Sequence, residues 1–198
     1  MNMLDDILND KNADNTRTKN ISERSVKYSF FITYAFLLTT ATITFIEAIT
    51  NQSNAVRNIL NLETCISVVA AFFYGAFIEK INTPEIDYKE INLNRYVDWA
   101  ITTPIMLLVL ILALCYNANT QLSLNNKYVV SLQSFAIILI LNYCMLYSGF
   151  AGETNMMNKK IANIIGFVFF FCMYGYIYLM YVNDNLITDN ILLYGCFV

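Results

Sequence analysis

The sequence has no histidine, only two prolines and only six glycines in 198 residues. Without histidine, the chain lacks the side chain that most often titrates near neutral pH and the commonest nitrogen ligand of metals. Charged residues make up only 14% of the sequence, which excludes an ordinary soluble domain. The sequence also has no glycine-rich phosphate loop and no compact basic patch, so nothing in it supports nucleotide or nucleic-acid binding.

The cysteines show no paired spacing, and each lies in or beside an apolar stretch. This placement favours small packed thiols over disulfides or metal ligands, so no metal site is predicted. The five residues are Cys65, Cys115, Cys144, Cys172 and Cys196.

What the chain has in excess is apolar sequence, at 57% of all residues. Five windows are long enough to cross a bilayer of about 30 Å, whereas a sixth, at 191–198, is too short to do so. The sequence therefore predicts an all-α, multi-pass integral membrane protein whose chain ends within its sixth helix. The five long windows are 26–49, 60–77, 96–115, 129–149 and 161–182.

Residues 1–24 are polar and contain no signal-peptide core, so they are predicted to form a flexible or weakly helical tail. The connections between the windows are too short to hold a second domain. We therefore expect one membrane domain over residues 25–198.

The most distinctive motif is Arg-Tyr-Val-Asp-Trp-Ala-Ile-Thr-Thr-Pro at 95–104, where the third window begins. Asp98 lies three residues after Arg95 and four before Thr102, so a helix places all three on one face. Val109 returns to that face about 16 Å further along the axis. Because ionisable residues inside membrane helices are costly and mostly functional, this face predicts a route for protons or ions.

The motif is similar to the third helix of microbial rhodopsins, in which Arg-Tyr-x-Asp-Trp-x-x-Thr-Thr-Pro lines the chromophore pocket. Residues 149–153, followed by 164–166, resemble the junction of the fourth and fifth helices in proteorhodopsins. The resemblance covers about residues 28–198 and implies a seven-helix up-and-down bundle, of which five full helices and the start of a sixth are present. The aromatic and methionine content and the asparagine-rich tail resemble viral or protist members.

The resemblance implies that retinal binds as a protonated Schiff base on a lysine of the seventh helix. None of the eight lysines lies deep inside an apolar window, so this lysine is expected beyond Val198. The family pattern makes Asp98 the counterion and proton acceptor, with Thr102 hydrogen-bonding it and Arg95 keeping it ionised. The structural alternative is that Asp98 is simply an ion-pair partner of Arg95.

The same resemblance implies the walls of the retinal pocket, although each of these residues alone would also suit ordinary helix packing. Met106 falls at a colour-tuning position, where an apolar side chain is typical of green-absorbing members. Tyr74 falls where many proteorhodopsins place a histidine beside the counterion. The remaining pocket residues are Tyr96, Trp99, Thr103, Met145, Gly149, Gly166 and Phe170.

The implied activity is light-activated ion transport, by a proton pump or a light-gated cation channel, and not an enzymatic reaction. Val109 stands where outward proton pumps usually carry a proton-donating acid, which weakens the fast-pump interpretation. Glu47 and Glu63 would supply a cation path if they face the bundle interior, and are interfacial charges if they face headgroups. The alternative is a photosensory rhodopsin that signals to a membrane partner; a non-photoactive relative is a third hypothesis.

The expected partners are the lipid bilayer, retinal, protons or small cations, and further copies of the chain in a homo-oligomer, in a plasma or host-cell membrane. Ten of the twelve lysines and arginines fall at the amino-terminal end of the predicted bundle. The positive-inside tendency would place that end in the cytoplasm, whereas the family places it outside. We give the motif more weight than this count.

Overall fold

The computed structural model describes the backbone of residues 3–82, 88–122, 129–183 and 188–198, with side chains from residue 24 and, after the first gap, from residue 90. Every regular element in these ranges is a helix. The elements are α1 (Met3–Thr50), α2 (Asn54–Ile81), α3 (Tyr88–Gln121), α4 (Leu132–Glu153), α5 (Lys159–Ile177), which continues as a π-helical segment (Tyr178–Val182), and α6 (Thr188–Phe197).

Five of these helices are long and apolar enough to cross a membrane, which confirms the predicted all-α membrane class. Consecutive helices from α1 to α5 pack side by side, and α6 packs against α3 and the π-helical segment. Of the α3 membrane segment, 39% is buried inside the protein, compared with 11% for α1. The third helix is therefore the most deeply buried of the five membrane segments.

Most helices extend further than the apolar windows. The largest difference is in α1, which begins at Met3 and includes residues 3–24 of the predicted polar tail. Apolar windows mark only the part of a helix that suits hydrocarbon, whereas the helix itself continues until a residue breaks it. The sequence contains no glycine or proline before Gly75, so residues 3–50 lack the two strongest helix breakers.

Pro104 lies inside α3 and does not end it. Proline has no N–H group, so the carbonyl of Ala100 loses its helical donor. The Tyr143 hydroxyl on α4 donates a hydrogen bond to that carbonyl at 3.2 Å. A neighbouring helix thus supplies the missing donor, which is how membrane helices tolerate an internal proline.

The α4–α5 hairpin is fixed by a close approach of two small residues. A Cβ atom built on Gly152 would lie 2.7 Å from the Cβ of Ala162, so only glycine fits at this position. The Asn158 side chain caps α5 by accepting a hydrogen bond from the Lys160 backbone N–H at 3.0 Å. These contacts hold together the two helices that carry the predicted pocket residues Met145, Gly149, Gly166 and Phe170.

Candidate functional site

One face of α3 carries three buried residues of the predicted ion route. Asp98 is 3% exposed, Thr102 is 4% exposed and Val109 is 6% exposed. The Thr102 hydroxyl donates to the backbone carbonyl of Asp98 at 2.9 Å, which ties the two residues together across one helical turn. The predicted inward orientation of this face is therefore present in the structure.

One oxygen of the Asp98 carboxylate lacks a hydrogen-bond partner among the described residues. Its Oδ1 atom is buried and has no hydrogen-bond partner among the residues that the structure describes. A carboxylate removed from water needs a donor or a cation, because an uncompensated buried charge costs several kcal/mol or shifts to its neutral form. The arrangement is that of a carboxylate that can accept a cationic or hydrogen-bond-donating group.

Arg95 does not provide that group. Its guanidinium carbon lies 4.8 Å from the centroid of the Trp99 ring, in a cation–π contact. Within the described part of the chain, no ion pair within 4.0 Å joins Arg95 to Asp98. The simple alternative, in which Asp98 is a structural partner of Arg95, is not the arrangement found.

Arg95 instead lines a polar cleft of about 280 Å³ near this end of α3. The cleft lies between the start of α3 and the end of α4, one turn from Asp98. Its lining combines a guanidinium, a carboxylate, an amide and two aromatic rings, which suits water and ions. The lining residues are Asn92, Arg95, Tyr96, Trp99 and Glu153.

Two predicted pocket residues of α3 and one of α4 meet beside this cleft. The Tyr96 ring packs edge-on against Trp99, with centroids 5.4 Å apart, and against Phe150 at 5.8 Å. A Cβ atom on Gly149 would lie 3.0 Å from the Tyr96 hydroxyl, so glycine allows the tyrosine to approach α4. Tyr96 and Trp99 therefore form an aromatic wall that packs against α4 at Gly149.

Thr103 lies on the α4 side of α3. Its hydroxyl donates to the Trp99 carbonyl at 2.7 Å and accepts a hydrogen bond from the Asn142 amide at 2.8 Å. Asn142 is 1% exposed and was not among the predicted site residues. An asparagine in the middle of an apolar window is the signal that could have identified it, since polar groups inside membrane helices usually have a partner.

The predicted residues on α4 and α5 meet through a serine. The Ser148 hydroxyl donates to the Met145 carbonyl at 2.7 Å, and a Cβ atom on Gly166 would lie 3.1 Å from the same hydroxyl. Phe170, one turn further along α5, packs against Tyr174 with centroids 4.7 Å apart and joins the apolar core. Met145 and Gly166 are thus brought together, with Phe170 beside the core.

Two predicted residues lie elsewhere. Met106 is 40% exposed and points away from the buried face of α3. The Tyr74 ring packs against Phe30 at 5.5 Å and Phe77 at 5.6 Å, between α1 and α2. No hydrogen bond links Tyr74 to Asp98 in the described residues.

The acids at the far end of the first two helices are not deeply buried. Glu47 is exposed and Glu63 is half-buried. The nearest buried contact between these helices is a hydrogen bond of 2.8 Å between the Thr44 and Thr64 hydroxyls. The position of Glu47 fits an interfacial charge better than a buried cation path.

The cysteines are not paired, and the prediction of packed thiols holds only in part. Cys115 is buried and Cys144 is half-buried, whereas the other three are exposed on the outer surface of the helices. Among the described residues, no group of three histidine, cysteine, aspartate or glutamate side chains could hold a metal ion. An apolar thiol suits a lipid-facing surface as well as a core.

Comparison with known proteins gives the family. A family profile described as bacteriorhodopsin-like protein matches residues 25–190. The chain belongs to the microbial rhodopsin family. The crystal structure of the viral rhodopsin OLPVRII is similar, with 51% sequence identity and a TM-score of 0.75 over 86% of this chain and 77% of that one.

A second solved structure, the blue light-absorbing proteorhodopsin from Med12, shares the fold at 22% identity and a TM-score of 0.61. That match covers 78% of this chain and 67% of the proteorhodopsin. No curated protein sequence matches the chain. Microbial rhodopsins are retinal-binding, multi-pass membrane proteins that act as light-driven transporters or photoreceptors and not as enzymes.

Proposed function

We propose that this rhodopsin is a light-activated ion transporter in which Asp98 is the counterion of the retinal Schiff base and the acceptor of its proton. The observation that carries the proposal is the buried Oδ1 atom of Asp98, which has no partner among the described residues. A photosensory role would use the same counterion, but no contact among the described residues favours it.

The residues of the site fit retinal. The buried, unpartnered carboxylate oxygen suits a protonated nitrogen, and the aromatic wall of Tyr96 and Trp99 suits a flat polyene. We propose that Thr103, Met145, Gly149, Gly166 and Phe170 complete the pocket. Met106 would reach the pocket only from its edge, since its side chain is 40% exposed and turned from the buried face of α3. When bound, retinal supplies a fixed cation and a light-driven change of shape.

The residues of the chain would handle charge and protons as follows. The Asp98 carboxylate balances the cation, since the two charges attract strongly where water is excluded. On illumination it holds a proton at Oδ1. Arg95, held over the Trp99 ring, keeps a positive charge one turn away and borders the polar cleft. That cleft is the exit we propose for the proton.

Val109 would block the return of a proton to the site from the opposite side of the membrane. Its side chain is 6% exposed and cannot hold a proton, so it closes the buried face of α3 about 16 Å beyond Asp98. Proton return from that side would depend on protons taken from the bulk solution. Transport would therefore be slow if the protein is a pump, whereas a channel would not need this step.

The role of Asp98 is tested by Asp98→Asn in the photoactive, full-length protein supplied with all-trans retinal. We expect a green absorption band that shifts to the red in the variant, because the negative charge beside the chromophore is gone. Asp189→Asn is the matched control, since Asp189 is exposed at the far end of the bundle and hydrogen-bonds Gln121. If Asp98→Asn leaves both the absorption band and the pH dependence of that band unchanged, Asp98 is not the counterion.

Pump and channel are separated by voltage-clamp recording of the same protein. A light-evoked current in one direction at every voltage supports a pump. A current that reverses near the equilibrium potential of a cation supports a channel. If no light-evoked current appears in either condition, the transport proposal is refuted and the photosensory hypothesis takes its place.

A further inference from the structure

At the end of the bundle opposite the polar cleft, four helical elements each contribute a buried side chain that carries a polar atom. Cys115 lies near the end of α3, Ser134 at the start of α4, Tyr181 in the π-helical segment and Asn190 at the start of α6. Each of the four is at most 6% exposed. Polar groups buried at this depth in a membrane protein are costly unless each has a hydrogen-bond partner.

The side chain of Asn190 is only half satisfied. It is 0% exposed, and its amide nitrogen donates to the Leu114 carbonyl of α3 at 3.2 Å. That bond identifies the nitrogen of the amide, because a carbonyl can only accept. The Oδ1 atom is buried and has no hydrogen-bond partner among the described residues. This oxygen therefore needs a donor that the described side chains do not supply.

The Tyr181 hydroxyl is in a similar position. Its oxygen is buried, and no described residue makes a hydrogen bond to it. The Ser134 side chain and the Ser131 backbone are its polar neighbours, but both lie outside hydrogen-bond geometry. Polar groups that lie near each other at more than hydrogen-bond length are commonly bridged by a water molecule.

We propose that internal water binds at this end of the bundle, bridging the Tyr181 and Ser134 hydroxyls and donating to the Asn190 oxygen, and that this water receives protons returning from solution. Both unpaired atoms are already enclosed by the protein, so only a small ligand fits. Water can donate to an amide oxygen and also accept from a hydroxyl. A metal cation fits less well, because these side chains offer it no carboxylate.

The part of the inference that concerns protons rests on the proposed function. Asp189, which precedes Asn190, is exposed, so the water lies close to the solution. On the other side, Val109, Leu110 and Ile111 are at most 6% exposed and form an apolar layer of α3. Leu114 lies about 7.5 Å beyond Val109 along the axis. A returning proton therefore reaches the water first and then crosses the apolar layer toward Asp98.

The water site is tested by crystallography of the full-length protein, at a resolution that shows ordered water, and this test needs no photochemistry. We expect water density about 2.7–3.2 Å from the Asn190 oxygen and between the Tyr181 and Ser134 hydroxyls. A direct bond from a protein group to the Asn190 oxygen or the Tyr181 hydroxyl would overturn the proposal. A well-ordered site without water density would also overturn it.

The role in proton return is tested by flash photolysis of the photoactive, full-length protein. Asn190→Leu and Tyr181→Phe each remove one polar atom that holds the water, and each should slow the late phase severalfold. Asn190→Asp keeps an oxygen at this place and should retain the rate of the parent. Tyr178→Phe is the matched control, because Tyr178 belongs to the same π-helical segment but is 36% exposed.

The absorption band should be unchanged in all four variants, since Leu114 lies about 24 Å from Asp98 along α3. A shifted band would indicate a general disturbance of the bundle and would overturn the assigned role. If the late phase of the parent depends on pH but Asn190→Leu and Tyr181→Phe match the parent, only the present inference fails. If the parent shows no pH-dependent late phase, proton return as described under the proposed function fails, and the role of the water in it fails too.

Discussion

The hydrogen bond between Asn142 and Thr103 allows a quantitative test of how α3 is held against α4. The Asn142 amide donates to the Thr103 hydroxyl at 2.8 Å, and that hydroxyl donates to its own helix at the Trp99 carbonyl, 2.7 Å away. The two partners are therefore not equivalent. Removing the threonine hydroxyl leaves a buried amide without an acceptor, whereas removing the amide leaves the hydroxyl still bonded.

This difference between the two partners determines how much each substitution should lower the free energy of unfolding. A buried donor left without a partner costs about 1–3 kcal/mol, and interhelical hydrogen bonds in membranes contribute about 0.6 kcal/mol on average with a maximum near 1.7. We expect Thr103→Val to lower the free energy of unfolding by about 1–2 kcal/mol and Asn142→Leu to lower it by less than about 1 kcal/mol. The double variant should resemble Asn142→Leu, with a coupling energy of about 1 kcal/mol.

The assay is equilibrium unfolding in mixed micelles, followed by tryptophan fluorescence and by circular dichroism. Trp99 is the only tryptophan in the chain and its carbonyl accepts the Thr103 hydroxyl, so fluorescence reports on the site itself. Thr39→Val is the matched control. The Thr39 hydroxyl bonds only the Ala35 carbonyl of its own helix, at 2.8 Å, and its residue is exposed. Additive effects within about 0.3 kcal/mol would refute the proposed interaction.

Two further predictions concern α4–α5 packing and proton return. Gly152→Ala places a Cβ atom 2.7 Å from the Ala162 Cβ and should destabilise the protein by about 1–3 kcal/mol in the same unfolding assay. Adding Ala162→Gly to this variant should restore part of the lost stability. If it restores none, the contact between the two Cβ atoms is not the cause. If the protein is a pump, its photocycle should slow as the pH rises, and Val109→Asp should accelerate the late phase seen by flash photolysis. An unchanged late phase would show that proton return does not pass this position.

The sequence predicted the parts of the site that depend on one helix alone. Asp98, Thr102 and Val109 share a buried face because helical geometry fixes the spacing of residues three or four apart, whatever surrounds the helix. The family motif added chemical roles to that face. The apolar windows identified the five membrane helices of the described residues, but not the helix ends, since polar residues continue a helix beyond the hydrocarbon.

Contacts between helices were harder to predict. Tyr74 was expected beside Asp98, yet its ring packs against Phe30 in the first helix. The rotation of α2 decides which side its residues face, and loops of uncertain length do not fix that rotation in a sequence alignment. Asn142 was missed for a related reason, because a single polar residue in an apolar window does not reveal its partner on another helix.

The contacts of α3 with α4 explain why Asp98 stays on the buried face. Tyr96 meets Gly149, the Ala100 carbonyl accepts the Tyr143 hydroxyl, and Thr103 accepts the Asn142 amide. Positions 96, 100 and 103 recur at the helical period and form one stripe, which α4 holds over two turns.

Asp98 and Thr102 lie two residues after Tyr96 and Ala100, and two residues turn a helix by about 200°. Asp98 therefore lies away from the stripe that α4 holds, about 60° around the helix from Arg95, which lines the polar cleft. One side of the helix is fixed by packing and hydrogen bonds, including the bond that replaces the donor lost at Pro104. The other side carries the buried Asp98, and under the proposed function its carboxylate would exchange a proton there without rotation of the helix.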